Sequence, residues 1–448
     1  MASNSTEYQE NGEFPSPCGK LRVLFLASEW GCSKGGLSTM NRELAINTAQ
    51  HSSVDVTFFV PQCNDEDKRA ALSHKIKLVE ATRQPGMEKL QWLSFLPDDL
   101  HIDVVVGHGI KLGPQANAIK KAQKCKWVQV VHTIPEELGM YKTYANPISG
   151  AEEKHKIEIE LCQLADFVVS IGPKLNEAFC CYLSSCKKDD VVFNFTPGIF
   201  SEFLEVQQVA ERKGKFQILL FGRGDEEDFL VKGFDLAAEA VASLDNIKLV
   251  FVGAPEGELE EVKNRFLKCG IRATDLTVRS FLKDRQSLKT LFCEVDLVVM
   301  PSRTEGFGLT ALEALSAGLP ILVSRNSGFG EALGEVLFGQ YFVVHSDNVQ
   351  EWVNAIKVLR DSDRKKRLKE SRELRSSYAK TYCWKEQCEA FVRKMISLVQ
   401  GKSFYHYSIS FRFNIFISQK ALSSPKRNTY EPTILTYVRV NPSSIFFT

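Results

Sequence analysis

The chain has 448 residues, 44% of them hydrophobic and 25% charged, with a formal net charge of +1. That length allows two or three domains with full cores, and that composition is typical of an ordinary globular protein. The neutral balance gives no global field toward nucleic acid or an acidic membrane, and the basic run "DRKKRLKE" (363–370) carries acids among its cations and reads as a solvated helix face.

The opening residues "MASNSTEYQENGEFPSPCGK" lack the basic-then-apolar order of a secretory signal, and no apolar run approaches a membrane span. The twelve cysteines form no paired C-x2-C sets. Without a secretion signal they read as free thiols rather than disulfides or zinc ligands. The expected location is cytoplasmic, with no nucleic-acid partner and no integral membrane association.

After residues 1–20, read as a disordered N-terminus, "LRVLFLA" (21–27) predicts a strand and "LSTMNRELAINTAQ" (37–50) a helix with Leu37, Met40 and Leu44 on one face. Further strands are predicted at "VDVTFFV" (54–60), "DVVVG" (103–107), "KWVQVVH" (126–132) and "DFVVSI" (166–171). Continuous apolar strands separated by helices indicate parallel sheet buried on both faces.

A break then reads as a linker at 198–214, rich in polar residues after Pro197 and Gly198. The alternation restarts with "FQILLFG" (216–222), "IKLVFVG" (247–253), "DLTV" (275–278), "DLVVMP" (296–301) and "PILVS" (320–324). Helices are predicted at 234–244 and 309–318, and 349–399 reads as helices closing the second half. The pattern gives two doubly wound, Rossmann-like α/β halves in tandem, 21–197 and 215–400. The aromatic and β-branched stretch 401–448 reads as a poorly ordered appendage without a site.

Ligands of an open parallel sheet bind beyond the carboxyl ends of its strands. Three stretches of the second half fall there: Gly222 and Arg223 followed by "GDEED", Lys232 and Gly233; "APEGE" after 253; and "PSRTEGFGLTALEALSAGLPILVS" (301–324). Glycines allow close backbone approach, and a helix N-terminus attracts phosphate. Arg and Lys are the cations expected around a diphosphate, while a carboxylate accepts from sugar or ribose hydroxyls.

"FGRGDEEDFLVKGFD" together with 301–324 resembles the donor half of a retaining, nucleotide-sugar-dependent glycosyltransferase of GT-B fold, family 4 or glycosyl transferases group 1. "LASEWGCSKGGLSTMNRELA", "VVVGHG", "VVHT" and "ADFVVSIGPKL" are similar to the first half of that family, so the resemblance covers about residues 20–400. It implies that Arg223 and Lys232 hold the donor diphosphate and stabilise its charge as the sugar departs. Glu305 would contact donor sugar hydroxyls and Glu313 the ribose. Amides of Gly306, Phe307, Gly308 and Leu309 would face phosphates or sugar. Gly35 and Gly36 would bring the first domain against the donor, and His132 would stand beside the sugar. His108 would line the acceptor side, whereas Lys34 reads as a solvated loop charge.

Two features depart from the family's pattern. Asp225, Glu226, Glu227 and Asp228 crowd the proposed diphosphate site, so either they point to solvent or donor affinity is weak. "RSFLKDR" (279–285), where the family's base meets the backbone, lacks the usual glycine. The D-x-D "DSD" (361–363) reads as an N-cap with an acidic first turn, and no metal and no other cofactor is expected. The implied activity is transfer of a sugar from a nucleoside-diphosphate sugar to the hydroxyl of an unidentified acceptor. Two alternatives stay open: a module that binds a nucleotide sugar or a partner without turnover, and a sugar-nucleotide epimerase.

Overall fold

The computed structural model describes residues 19–31, 35–142, 146–185, 192–282, 284–345 and 347–401. The expectations for residues 1–18, Lys34 and the appendage from 402 onward fall outside the described residues.

Two parallel sheets organise the chain. The first contains β1 (Leu21–Leu26), β2 (Val54–Val60), β3 (Ile76–Glu80), β4 (Val104–His108), β5 (Lys126–Val131), β6 (Phe167–Ile171) and β7 (Val192–Phe195), in the order β3-β2-β1-β4-β5-β6-β7. The second contains β8 (Phe216–Phe221), β9 (Ile247–Ala254), β10 (Leu276–Ser280), β11 (Leu297–Met300), β12 (Ile321–Ser324) and β13 (Val343–Val344), in the order β10-β9-β8-β11-β12-β13. In each sheet the strand order reverses beside its first strand, between β1 and β4 and between β8 and β11. A ligand crevice opens at such reversal points.

Burial explains the unbroken apolar strands. Val23 and Phe25 join one core with Met40 and Leu44 of the helix Gly36–Thr48. Leu24 and Leu26, on the opposite face, join another core with Leu112 and Ala116 of the helix Gly109–Gln123. Successive strand residues point to opposite faces, so a sheet covered by helices on both sides needs every position apolar.

Three elements differ from the sequence reading. The linker begins as core, with Phe200 and Phe203 fully buried around a short 3-10 turn and the Phe200 amide donating to Ser316 Oγ at 3.0 Å. The last helix, Trp384–Gln400, does not simply close the second half. Its Phe391 packs on Phe167, Phe193 and Phe195 of the first sheet, and Gln387 Oε1 accepts from the Thr196 amide at 2.8 Å. Asp363 does N-cap the helix Arg364–Thr381, accepting from the Lys366 amide at 3.1 Å. The turn that follows is Arg-Lys-Lys rather than acidic, because Asp361 ends the preceding helix.

Candidate active site

The loop between β11 and the helix Leu309–Ser316 is held from several sides. The Glu305 amide donates to the Asn326 carbonyl at 3.1 Å, and Glu305 bridges to Ser327 beside β12. The Glu305 carboxylate accepts from Lys232 Nζ at 2.5 Å. Lys232 is presented at the end of a short turn, its own amide donating to the Asp228 carbonyl at 2.8 Å. Two residues predicted from separate stretches of sequence therefore form one ion pair at the ends of β8 and β11.

The same loop docks on the first domain. A Cβ at Gly306 would fall into the His132 carbonyl oxygen, so only glycine lets the two backbones approach this closely. Phe307 is buried, and a Cβ at Gly172, after β6, would come within 2.5 Å of its ring. Gly308 turns the chain into the helix with φ of 107°, a conformation that disfavours other residues.

His132 stands at the end of β5 and His108 at the end of β4, with His132 Nε2 2.9 Å from His108 Nδ1 and their rings stacked at 5.1 Å. Either nitrogen can carry the shared proton. Burial pushes His132 down to about 4. Burial and the neighbouring His132 hold His108 well below the usual histidine range. Both rings are neutral near neutral pH, so His132 can exchange hydrogen bonds with a ligand but is not a ready source of a proton.

Glu313 lies on a different wall. It is 5% exposed and accepts from Nη1 of Arg285, whose other nitrogens donate to Glu202 of the linker turn. Burial raises the Glu313 carboxyl, and the charge of Arg285 works against that rise. A cleft of about 460 Å³ opens there, lined by Gly35, Gly36, Leu309 and Glu313 with Phe221, Phe281 and Arg285. A Cβ at Gly36 would lie 3.6 Å from Leu309 Cδ1, so the first domain reaches the helix Leu309–Ser316 at this point. Glu43, on the helix after Gly35, is pushed up to about 7 by burial. Arg223, Lys232, Glu305 and His132 do not line this cavity.

Arg223 is exposed, and its Nη2 lies 3.2 Å from Asp228 Oδ2. Lys142 of the first domain reaches Glu227 at 3.4 Å and Asp228 at 3.5 Å. The acidic loop is therefore not wholly turned to solvent: Glu226 and Glu227 are exposed, whereas Asp228 is buried between two cations. Gly222 allows close packing of Phe234, whose Cζ would lie 3.1 Å from a Cβ there.

The sequence reading missed Arg285, Glu202, Lys142 and Lys174. Buried Lys174 Nζ donates to Glu137 Oε2 at 2.6 Å, Asn326 Oδ1 at 2.8 Å and Thr304 Oγ1 at 2.9 Å, tying the first domain to the loop that carries Glu305. Arg285 and Lys174 both stand in stretches already noted, one in "RSFLKDR" and one in "ADFVVSIGPKL". A cation in the first turn after a strand end was the available signal. Among the described residues, no three His, Cys, Asp or Glu side chains converge as a metal-binding set.

Two doubly wound domains facing across a cleft define the GT-B architecture, which known structures share. Sucrose-phosphate synthase (tll1590) from Thermosynechococcus elongatus superposes with a TM-score of 0.67, at 16% identity, covering 86% of this chain and 100% of that one. Anabaena Alr3699/HepE in complex with UDP and glucose gives 0.63, at 15% identity, covering 84% of this chain and 100% of that one. At these identities the likeness is one of fold.

Residues 24–391 match the family described as Family 4 Glycosyltransferase in conflict systems, and the chain belongs to that family. The D-inositol 3-phosphate glycosyltransferase of Mycobacterium leprae (strain Br4923) is 29% identical over 128 residues, 28% of this chain and 29% of that protein. Its counterpart in Corynebacterium urealyticum (strain ATCC 43042 / DSM 7109) is 30% identical over 178 residues, 38% of this chain and 41% of that protein. The chain thus spans under half the length of these curated relatives.

Proposed function

We propose that the chain transfers a sugar from a nucleoside-diphosphate sugar to an acceptor hydroxyl, with retention at the anomeric carbon. The observation that carries this reading is the Lys232–Glu305 pair at the ends of β8 and β11, docked beside His132 of the other domain. A family-4 membership and a fold neighbour whose structure holds UDP and glucose support it.

In this reading Lys232 leaves Glu305 for the donor diphosphate, and the freed carboxylate accepts from a sugar hydroxyl. Arg223 exchanges Asp228 for phosphate. The bond from the anomeric carbon to the phosphate oxygen breaks, its electrons passing to the phosphate. The acceptor oxygen bonds to the same face, and its proton goes to the departing phosphate oxygen. Once the donor has drawn them into place, Lys232 and Arg223, with the amides of the Gly306–Leu309 turn, offset the charge that develops as the bond breaks. Glu313 takes the ribose. No metal is required in this scheme, and the proposed setting is cytoplasmic.

The test is calorimetry with UDP, GDP and ADP, followed by product analysis with the matching nucleotide sugars in EDTA. Binding lost in Lys232→Ala, with metal-independent turnover, supports the reading. Turnover that stops in EDTA and returns with magnesium or manganese refutes the metal-free scheme. The Arg223–Asp228 pair favours one second reading, a module that binds without turnover. Binding with neither transfer nor donor hydrolysis would select it.

A further inference from the structure

The guanidinium of Arg285 has no part in that scheme, yet it is among the most constrained groups of the cleft. It opens the helix Arg285–Glu294, behind Asp284, whose carboxylate caps the helix by accepting from the Ser287 amide at 2.7 Å. Its Cζ lies 4.6 Å from the Phe203 ring centroid and 5.6 Å from that of Phe200. Nε donates to Glu202 Oε1 at 2.8 Å, and Nη2 reaches the same oxygen. Nη1 donates to Glu313. One edge of the planar fork is thus fixed by the linker turn, and the other is offered to a carboxylate with 5% exposure. An ionised carboxylate buried that far needs a charged partner, and a rigid guanidinium supplies direction as well as charge.

We propose that Arg285, clamped by Glu202 and the Phe200–Phe203 turn, is the positioning residue that fixes the Glu313 carboxylate, ionised and oriented, on the wall of the cleft. The proposal rests on the reading of Glu313 as the ribose acceptor. It makes the interdomain linker part of the nucleotide site, since Glu202 aims the group that aims Glu313. The charged groups around Glu313 are Arg285 from the helix Arg285–Glu294, Glu202 from the linker, and Glu43 from the helix Gly36–Thr48, where Arg42 acts on Glu43. Burial and Glu202 raise the Glu313 carboxyl, and Arg285 opposes them. Without Arg285, Glu313 takes up a proton at a higher pH.

Full-length Arg285→Met, Arg285→Lys, Glu202→Gln and the double variant Arg285→Met with Glu313→Gln test this in two ways. The first readout is ligand-free melting between about pH 5 and about pH 9. In Arg285→Met the folded-state carboxyl is raised above its unfolded value. Its stabilisation is therefore present at low pH and lost as pH rises. The melting temperature should fall with pH more steeply than in wild type, and that extra slope should vanish in the double variant. The second readout is affinity for UDP, GDP and ADP. The nucleotide that binds wild type best should bind Arg285→Met about 10-fold more weakly near pH 6, the loss of a charge-assisted bond, with a smaller loss near pH 8. Arg285→Lys should recover part of the affinity, and Glu202→Gln should lie between. Single and double variants with equal pH slopes would overturn the proposal, as would a pH-independent loss of affinity. If wild type binds none of the three nucleotides, the ribose reading fails and the melting series alone decides whether Arg285 holds the Glu313 charge.

Discussion

The two ends of the cleft are built differently, although one short motif supplies a glutamate to each. At the Glu305 end the loop is pressed against the first domain, Gly306 on the His132 carbonyl and Phe307 on Gly172, and Lys174 bridges behind it. At the Glu313 end the domains part around about 460 Å³ of open space, and the carboxylate is anchored within its own half and the linker. The difference teaches which contacts depend on how the domains sit. A change in their separation acts on Glu305 directly and on Glu313 through Glu202. Both glutamates are paired with cations; in the proposed scheme the donor draws Lys232 away from Glu305, whereas Arg285 stays on Glu313.

The largest expected effect breaks the Glu305 end. Lys232→Ala removes the cation shared by Glu305 and the proposed diphosphate, and kcat/KM should fall by about 100-fold to 1,000-fold, as when a preorganised donor is deleted. Steady-state kinetics with the cognate donor checks this, and a loss under tenfold would remove Lys232 from the phosphate site.

Next comes the contrast between the glutamates. Glu313→Gln should weaken nucleoside diphosphate binding by roughly 1.5–3 kcal/mol, the worth of a charge-assisted bond. Glu305→Gln should leave that affinity nearly intact and lower turnover. Calorimetry on both variants compares the ends directly, and equal losses of affinity would erase the proposed division.

A smaller effect concerns the histidine pair. Burial holds folded His132 at about 4, below its ordinary 6.5, so its stabilisation is fully present above 6.5 and is lost as pH falls toward 4. Melting temperature should decline over that window, with a shallower decline in His132→Gln. An unchanged slope would show that other groups set the acid limb. The smallest effect is expected for Asp228→Asn. Arg223 is exposed, so freeing it should tighten nucleoside diphosphate binding by no more than about fivefold. A larger gain would identify Asp228 as a brake on the donor site.

The sequence by itself determined the alternation of strands and helices, because strands covered on both faces must be apolar throughout, and β2 was legible to the residue. It missed β3, β7 and β13, which are edge strands of the two sheets. An edge strand such as β3 carries Lys77 and Glu80 toward solvent and lacks the continuous apolar run. Gly306, Gly308, Lys232 and Glu305 were legible as a group, since glycines and charges at strand ends carry a local signal. Tertiary structure alone decided the partners: Lys232 on Glu305, Arg223 on Asp228, and Arg285 between Glu202 and Glu313. It also carried the helix Trp384–Gln400 back onto the first sheet. Residue type and spacing fix what a side chain can bond, whereas the choice among distant charges depends on which loops the packed sheets bring within a few ångströms.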